Sequence, residues 1–222
     1  MTVRTIAITG ANRGIGYALA EHYAKAGDRV IAIVRTPSDE LNKIGARTIA
    51  THDVDDPELP QRVAEALDGK PLDALLNVAG IMHWEELAQV NRDILLRQFQ
   101  VNALAPLMLS AGLTDTMRDG SKIAILTSRL GSLADNTSGS GYGYRMSKAA
   151  VNMAARSLAI DLKPLGIAVG LIHPGSVKTS LNQLGGEIEV HDAVRGIVQR
   201  VDELTLETTG SYRHQNGTDL PW

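Results

Sequence analysis

The sequence of 222 residues contains no cysteine, a single phenylalanine and only 4% aromatics overall. Without cysteine, disulfides, thiolate nucleophiles, iron–sulfur clusters and cysteine-ligated zinc are all excluded. Long apolar runs are missing as well, and none approaches the roughly 20 residues that a membrane helix needs. The start, MTVRTIAITGANRG, has no basic segment leading into an apolar stretch, so no secretory signal is read there. Nor is there a basic excess: 22 Lys+Arg stand against 25 Asp+Glu, a net charge of -3, which is unsuited to gripping a phosphate backbone. His22, His52, His83, His173, His191 and His214 lack metal-ligand spacing, and no paired-carboxylate motif accompanies them. A cytoplasmic address fits these absences, and nucleic acid, membrane and metal are not expected as partners. The 44% hydrophobic and 21% charged residues suit one globular domain over residues 1–222. The chemistry must come from oxygen, nitrogen or a bound cofactor.

Short β-branched runs alternate with helix-compatible stretches. Strands are expected at Val3–Thr9, Arg29–Val34, Ala46–Thr51, Leu72–Val78, Lys122–Thr127 and Ile167–His173. Several are apolar almost throughout, as befits a parallel sheet covered on both faces. Helices are expected near 15–26, 57–68, 91–118 with a break at Pro106, 143–163 and 190–203. This alternation predicts an α/β fold, a Rossmann-type doubly wound parallel sheet flanked by helices, in a single domain. Ligands bind such sheets beyond the carboxyl ends of the strands.

The first strand runs into Thr9-Gly10-Ala11-Asn12-Arg13-Gly14-Ile15-Gly16, then a helix. Glycines allow a tight turn and close backbone approach, and the helix N-terminus offers free N–H groups to a pyrophosphate. Four further segments follow in order: Asn77-Val78-Ala79-Gly80, Val101-Asn102-Ala103, Tyr144-Arg145-Met146-Ser147-Lys148, and His173-Pro174-Gly175-Ser176-Val177-Lys178-Thr179. Together they resemble the short-chain dehydrogenase/reductase family, with its T-G-x-x-x-G-[IL]-G, N-x-A-G, Y-x-x-x-K and P-G-x-V-x-T motifs. The resemblance spans nearly the whole chain. It is nearest to small carbonyl-reductase-like and C-factor-like members, notably in SGSGYGYRMSKAA and in the Gly217-to-Trp222 ending. It implies a nicotinamide cofactor held by Gly10, Asn12, Arg13, Gly14, Ile15, Gly16, Arg35, Asp53, Val54, Asn77, Ala79, Gly80, Tyr144, Lys148, Pro174, Gly175, Val177 and Thr179.

Which nicotinamide cofactor is read from the second strand. An acid about 20 positions beyond the glycine loop binds a ribose 2′-hydroxyl, whereas an Arg accommodates a 2′-phosphate. Here the strand ends at Val34-Arg35, and the first acids, Asp39 and Glu40, come after Pro37. By the resemblance Arg13 points toward the same end of the cofactor. Two guanidinium groups suit a dianionic phosphate, so NADP(H) is expected over NAD(H). Asp53-Val54 resembles the family's adenine-binding pair; it also suits a turn before a helix.

Tyr144 and Lys148 lie four apart and share a helix face. A nearby ammonium favours the phenolate, so Lys148 is expected to lower the Tyr144 pKa from about 10 toward the working range. Tyr142 has Met146 at that offset and lacks this partner. Ser128, after the fifth strand, resembles the family's catalytic serine and would hold a substrate oxygen near Tyr144. It stands sixteen residues before Tyr144, more than is usual in the family, which keeps Ser132 open as an alternative. Asn102 would complete a proton relay through Lys148. The resemblance thus implies hydride transfer between NADPH and a small-molecule carbonyl or alcohol. Catalytic residues are then Asn102, Ser128, Tyr144 and Lys148, and Met82 and Trp84 are candidates for an apolar substrate wall. The rival is an NADP(H)-binding signalling or regulatory protein with little turnover. Ala149, Ala150, Ala154, Ala155 and Ala159 resemble the close-packing face through which the family forms homodimers or homotetramers, though they equally suit packing on the chain's own sheet.

Overall fold

A computed structural model describes residues 3–222 except His52, Val54, Asp55, Gln183 and Leu184. Among these residues seven strands form one sheet: β1 (Thr5–Thr9), β2 (Arg29–Val34), β3 (Arg47–Ala50), β4 (Leu72–Asn77), β5 (Met117–Leu126), β6 (Ala168–His173) and β7 (Tyr212–His214). All pairings are parallel and the order is β3-β2-β1-β4-β5-β6-β7. The helices are α1 (Gly14–Lys25), α2 (Asp39–Lys43), α3 (Leu59–Ala66), α4 (Arg92–Phe99), α5 (Ala105–Gly112), α6 (Tyr142–Leu162) and α7 (Val190–Asp202).

Strand periodicity sends alternate residues to opposite faces. Ala7, Ile31, Ile33, Leu75, Ile123 and Val169 meet residues of α3, α5 and α6 on one face. Ile6, Ile8, Ala32, Leu76 and Ala124 meet Leu19, Tyr23, Leu41, Ile197 and Val201, from α1, α2 and α7, on the other. Both faces of the sheet are therefore buried, which is why its strands read as unbroken apolar runs. The chain reverses direction across the sheet between β1 and β4, where a ligand crevice is expected. Thr9 marks that point: its Oγ1 accepts the N–H groups of Val78 and Ala79 at 2.9 and 3.0 Å.

The structure corrects the expected elements at several places. The helical stretch expected over 91–118, broken near Pro106, is α4, a π-helical turn at Gln100–Leu104, and α5, which ends at Gly112. The irregularity thus precedes Pro106, which sits in the first turn of α5, where its missing N–H goes unused. Residues 117 and 118, placed in that helix from sequence, and 119–121, given to no element, begin β5 instead. α2 and β7 are additional elements. The three residues of β7 are too few for a period to show, and they pair with β6 through Leu171–Tyr212, Ile172–Arg213 and His173–His214. Among the described residues, no helix is long and apolar enough to cross a membrane.

Candidate active site

A cleft of about 200 Å³ opens at the carboxyl ends of β1, β2, β4, β5 and β6. One end is built by the β1–α1 turn, where Gly10, Asn12, Arg13, Gly14, Ile15 and Gly16 line the wall. The turn closes tightly enough that a Cβ on Gly16 would collide with the Gly10 carbonyl oxygen. Arg13 is the N-cap of α1 and its side chain makes no capping hydrogen bond. The first amides of α1, lining the cleft without a side-chain cap, form a donor set that suits a phosphate.

Arg13 and Arg35 are both exposed on this wall, and neither makes an ion pair among the described residues. Asp39 and Glu40, the first acids after β2, fall in the first turn of α2, where a helix dipole favours negative charge. They do not line the cleft. Asp53 does, in an ion pair of 2.5 Å with Arg97 of α4. Arg97 was not singled out in the sequence, because nothing local links α4 to the end of β3. Val54 lies outside the described residues.

The far end of the cleft carries the titratable groups. Gly80, Tyr144, Lys148 and Pro174 line it, with an apolar floor from Val78, Ile81, Val101 and Leu126, while Ala79 and Thr179 stand against Gly10 and Gly14 of the turn. Tyr144 and Lys148 are buried on one face of α6, and the Lys148 Nζ stands 5.7 Å from the Tyr144 ring centroid. Lys148 Nζ donates to the Leu126 carbonyl at 2.9 Å. The Ser128 side chain lies near enough to Tyr144 to favour its phenolate, and its Oγ accepts the Leu130 N–H at 3.2 Å. Ser132 faces elsewhere: its hydroxyl donates to the Trp222 carbonyl at 3.0 Å and accepts the Asp135 N–H at 3.1 Å. The structure brings Ser128, and not Ser132, to Tyr144.

Asn102 occupies the π-helical turn and is buried. Its Oδ1 accepts the Ile81 N–H at 2.9 Å, while Nδ2 donates to the Ile81 carbonyl at 2.8 Å and to Ser147 Oγ at 3.0 Å. Asn102 and Lys148 meet across Gly80, where a Cβ would lie 3.3 Å from Asn102 Oδ1 and 3.8 Å from Lys148 Nζ.

The electrostatics differ from the sequence expectation. Burial pushes the Tyr144 phenol up to about 12, opposed by the nearby Ser128 side chain. The same burial pushes Lys148 down to about 8. A phenolate loses more in leaving water than a neighbouring ammonium, itself desolvated, returns to it. Tyr144 is therefore a phenol across the neutral range.

Other expected residues lie off the cleft wall. Asn77 is buried at the end of β4, donating from Nδ2 to Ser110 Oγ at 3.2 Å. Gly175 takes a positive φ of 84° in the turn after β6, and Val177 is buried beyond it. Met82 is half-buried in the loop after β4, outside the lining. Trp84 is also outside it, with its ring 5.7 Å from the Arg145 guanidinium carbon. Among the described residues, no group of three His, Asp or Glu is placed to hold a metal ion.

Comparison with known proteins agrees with this geometry. The family model described as short chain dehydrogenase matches residues 4–187. The 1-hydroxy-2-glutathionyl-2-methyl-3-butene dehydrogenase of Rhodococcus sp. (strain AD45) is 37% identical, covering 98% of this chain and 99% of its own. The C-signal protein of Myxococcus xanthus is 41% identical over 68% of this chain and 93% of its own. An NADPH-bound carbonyl reductase from chicken fatty liver superposes with a TM-score of 0.92 at 26% identity, each chain covered in full. The chain belongs to the short chain dehydrogenase family, near its carbonyl-reductase-like members, and its fold and relatives are those of an oxidoreductase.

Proposed function

We propose that this protein is an NADP(H)-dependent oxidoreductase that interconverts a small carbonyl compound and its alcohol, with Tyr144 as the acid/base. The observation that carries the reading is Tyr144 and Lys148 side by side on the cleft wall, with the Ser128 side chain beside Tyr144. The cofactor, when bound, supplies or accepts the hydride. The amides of the α1 N-terminus would hold its pyrophosphate, and Lys148 its nicotinamide ribose. The Ser128 hydroxyl orients and polarises the substrate oxygen. Tyr144 delivers a proton from Oη to that oxygen as negative charge develops, and its high pKa keeps the proton available at neutral pH. Asn102 fixes Ile81 and Ser147 around Lys148, which is the side from which a proton would be replaced. The test is NADPH consumption across aldehydes, ketones and quinones. The alcohol named in the Rhodococcus relative is included in the oxidative direction.

Arg13 and Arg35, exposed at the adenosine end with no cleft-lining acid after β2, support preference for the 2′-phosphate. Arg35→Ala is expected to weaken NADPH binding by about tenfold, one charge-assisted contact, and to leave NADH binding nearly unchanged. Comparable use of NADH by the unmodified protein, kept in Arg35→Ala, would contradict the preference.

A second reading is a nucleotide-binding signalling protein of this fold with little turnover, and the 41% identity to the C-signal protein favours it. Such a protein has no need of a tyrosine held against a serine, so the enzyme is preferred. Residues 1–222 are read as one cytoplasmic nucleotide-binding unit that pairs with itself as a homodimer or homotetramer. Ala155 and Ala159 pack on the chain's own sheet. It is Met146, Met153 and Ile160, seven apart on α6 and 60%, 69% and 61% exposed, that form the outward apolar stripe. Light scattering is expected to show at least a dimer, reduced toward monomer in Met153→Glu. A monomer in the unmodified protein would refute the assembly.

A further inference from the structure

The helix carrying Tyr144 and Lys148 is entered through Gly141, whose φ of 59° is left-handed and which brings no side chain to cap the first turn. The cap comes from the loop after β4, more than fifty residues earlier. Glu85 Oε1 accepts the Gly143 N–H, and the Glu85 main-chain carbonyl accepts the Gly141 N–H at 2.8 Å. Neighbouring contacts knit the same two segments. Glu86 Oε2 accepts the Ser140 hydroxyl at 2.8 Å. Trp84 lies so close on Gly141 that a Cβ there would meet its ring, and it stacks on Arg145. Gln98 of α4 holds the His83 N–H through Oε1 at 2.9 Å, and its Nε2 fills the space that a Cβ on Gly143 would take.

Glu85 and Gln98 are 2% and 1% exposed. Glu85 Oε2 and Gln98 Nε2 have no hydrogen-bond partner among the described residues. Burying a carboxylate with one oxygen unpaired is costly. The dipole and free amides at the start of a 21-residue helix offset that cost only where the charge sits at the helix end. An apolar residue would fill this position with less difficulty. The loop that carries Glu85 also carries Gly80 and Ile81, which line the reaction end of the cleft. Glu85 therefore ties the cleft floor to the helix one residue before Tyr144.

We propose that Glu85 is a positioning residue for Tyr144, its carboxylate holding the first turn of α6 in register with Ser128 and the cleft floor. The proposal rests on the reading of Tyr144 as the acid, and its test separates the two. Glu85→Ala and Glu85→Gln are compared by hydrogen exchange, NADPH affinity and steady-state reduction of phenanthrenequinone. In Glu85→Ala the amides of residues 141–146 are expected to exchange about tenfold faster while the rest of α6 keeps its protection. Turnover is expected to fall about tenfold or more with NADPH affinity held within about twofold, since misplacement by an ångström costs rate rather than cofactor binding. Glu85→Gln, whose amide oxygen still accepts the Gly143 N–H, is expected to recover turnover to within about threefold. Folded Glu85→Ala with unchanged exchange and turnover would overturn the proposal, as would a turnover loss matched by loss of NADPH affinity. Glu85→Asp, one carbon shorter, carries the same two outcomes if Glu85→Ala does not fold. Should the unmodified protein reduce no member of the aldehyde, ketone and quinone panel, the reading of Tyr144 fails, while the exchange experiment still decides whether Glu85 holds the helix.

Discussion

Tyr144→Phe is expected to lower turnover about 10²–10⁴-fold, the range that a positioned acid contributes, while NADPH binding changes little. Phenylalanine keeps the buried ring that packs beside Lys148 and removes only the hydroxyl that meets Ser128. The Ser128 hydroxyl retains the Leu130 N–H at 3.2 Å, so the loop after β5 keeps an anchor. The fold should therefore lose no more than about 1 kcal/mol, the size of one hydrogen bond. Stopped-flow hydride transfer alongside NADPH affinity separates the two effects. Full turnover in the variant would remove Tyr144 from the mechanism. A matching loss of nucleotide affinity would move its role from proton transfer to binding.

Lys148→Met is expected to abolish turnover and, in the absence of nucleotide, to stabilise the fold near neutral pH. The sign follows from the direction of the shift. Burial lowers the Lys148 pKa from 10.5 to about 8, so below pH 8 the native state holds an ammonium that the unfolded chain solvates better. That cost is about 3 kcal/mol by linkage, offset in the variant by about 1 kcal/mol for the donor lost from the Leu126 carbonyl. A net gain of about 2 kcal/mol should therefore appear below pH 8. Between pH 8 and 10.5 the native lysine loses its proton before the unfolded one does. The unmodified protein then gains stability with rising pH, and the difference closes and reverses by about 1 kcal/mol, the lost hydrogen bond. Thermal unfolding of both proteins across that range is the measurement. A variant less stable at pH 7, or a difference that ignores pH between 8 and 10.5, would contradict the assignment. The same titration should weaken carbonyl reduction above about pH 8, where the ammonium that holds the nicotinamide ribose is lost.

The sheet was legible because both its faces are covered. Runs such as RVIAIV and KIAILT can be apolar throughout only if helices pack on either side. The glycine turn was legible for a similar local reason: three glycines in seven residues, at a strand-to-helix junction, mark a backbone that something must approach closely. Tyr144 and Lys148 needed only the helical period.

What escaped the sequence depends on distant segments meeting. The π-helical turn that turns Asn102 toward Ile81 has no local signature of its own, and the sequence marked only a break at Pro106, just beyond it. The choice between Ser128 and Ser132 depended on where Trp222 folds back, ninety residues beyond Ser132. The Arg97–Asp53 pair joins α4 to the end of β3, and Glu85 joins the β4 loop to α6. The largest misjudgement was electrostatic. The i, i+4 pairing suggested a depressed tyrosine pKa, whereas the depth of burial, invisible in a one-dimensional pattern, pushes it up to about 12.

The central claim is that the cleft transfers hydride, and label transfer tests it most directly. The protein is incubated with NADPH deuterated at the nicotinamide carbon that gives up hydride, together with the aldehyde, ketone and quinone panel. At least one carbonyl is expected to yield its alcohol with one deuterium on the former carbonyl carbon and one NADPH oxidised per alcohol formed. Binding of NADPH with no deuterium delivered to any carbonyl would contradict the account and leave the signalling reading in its place.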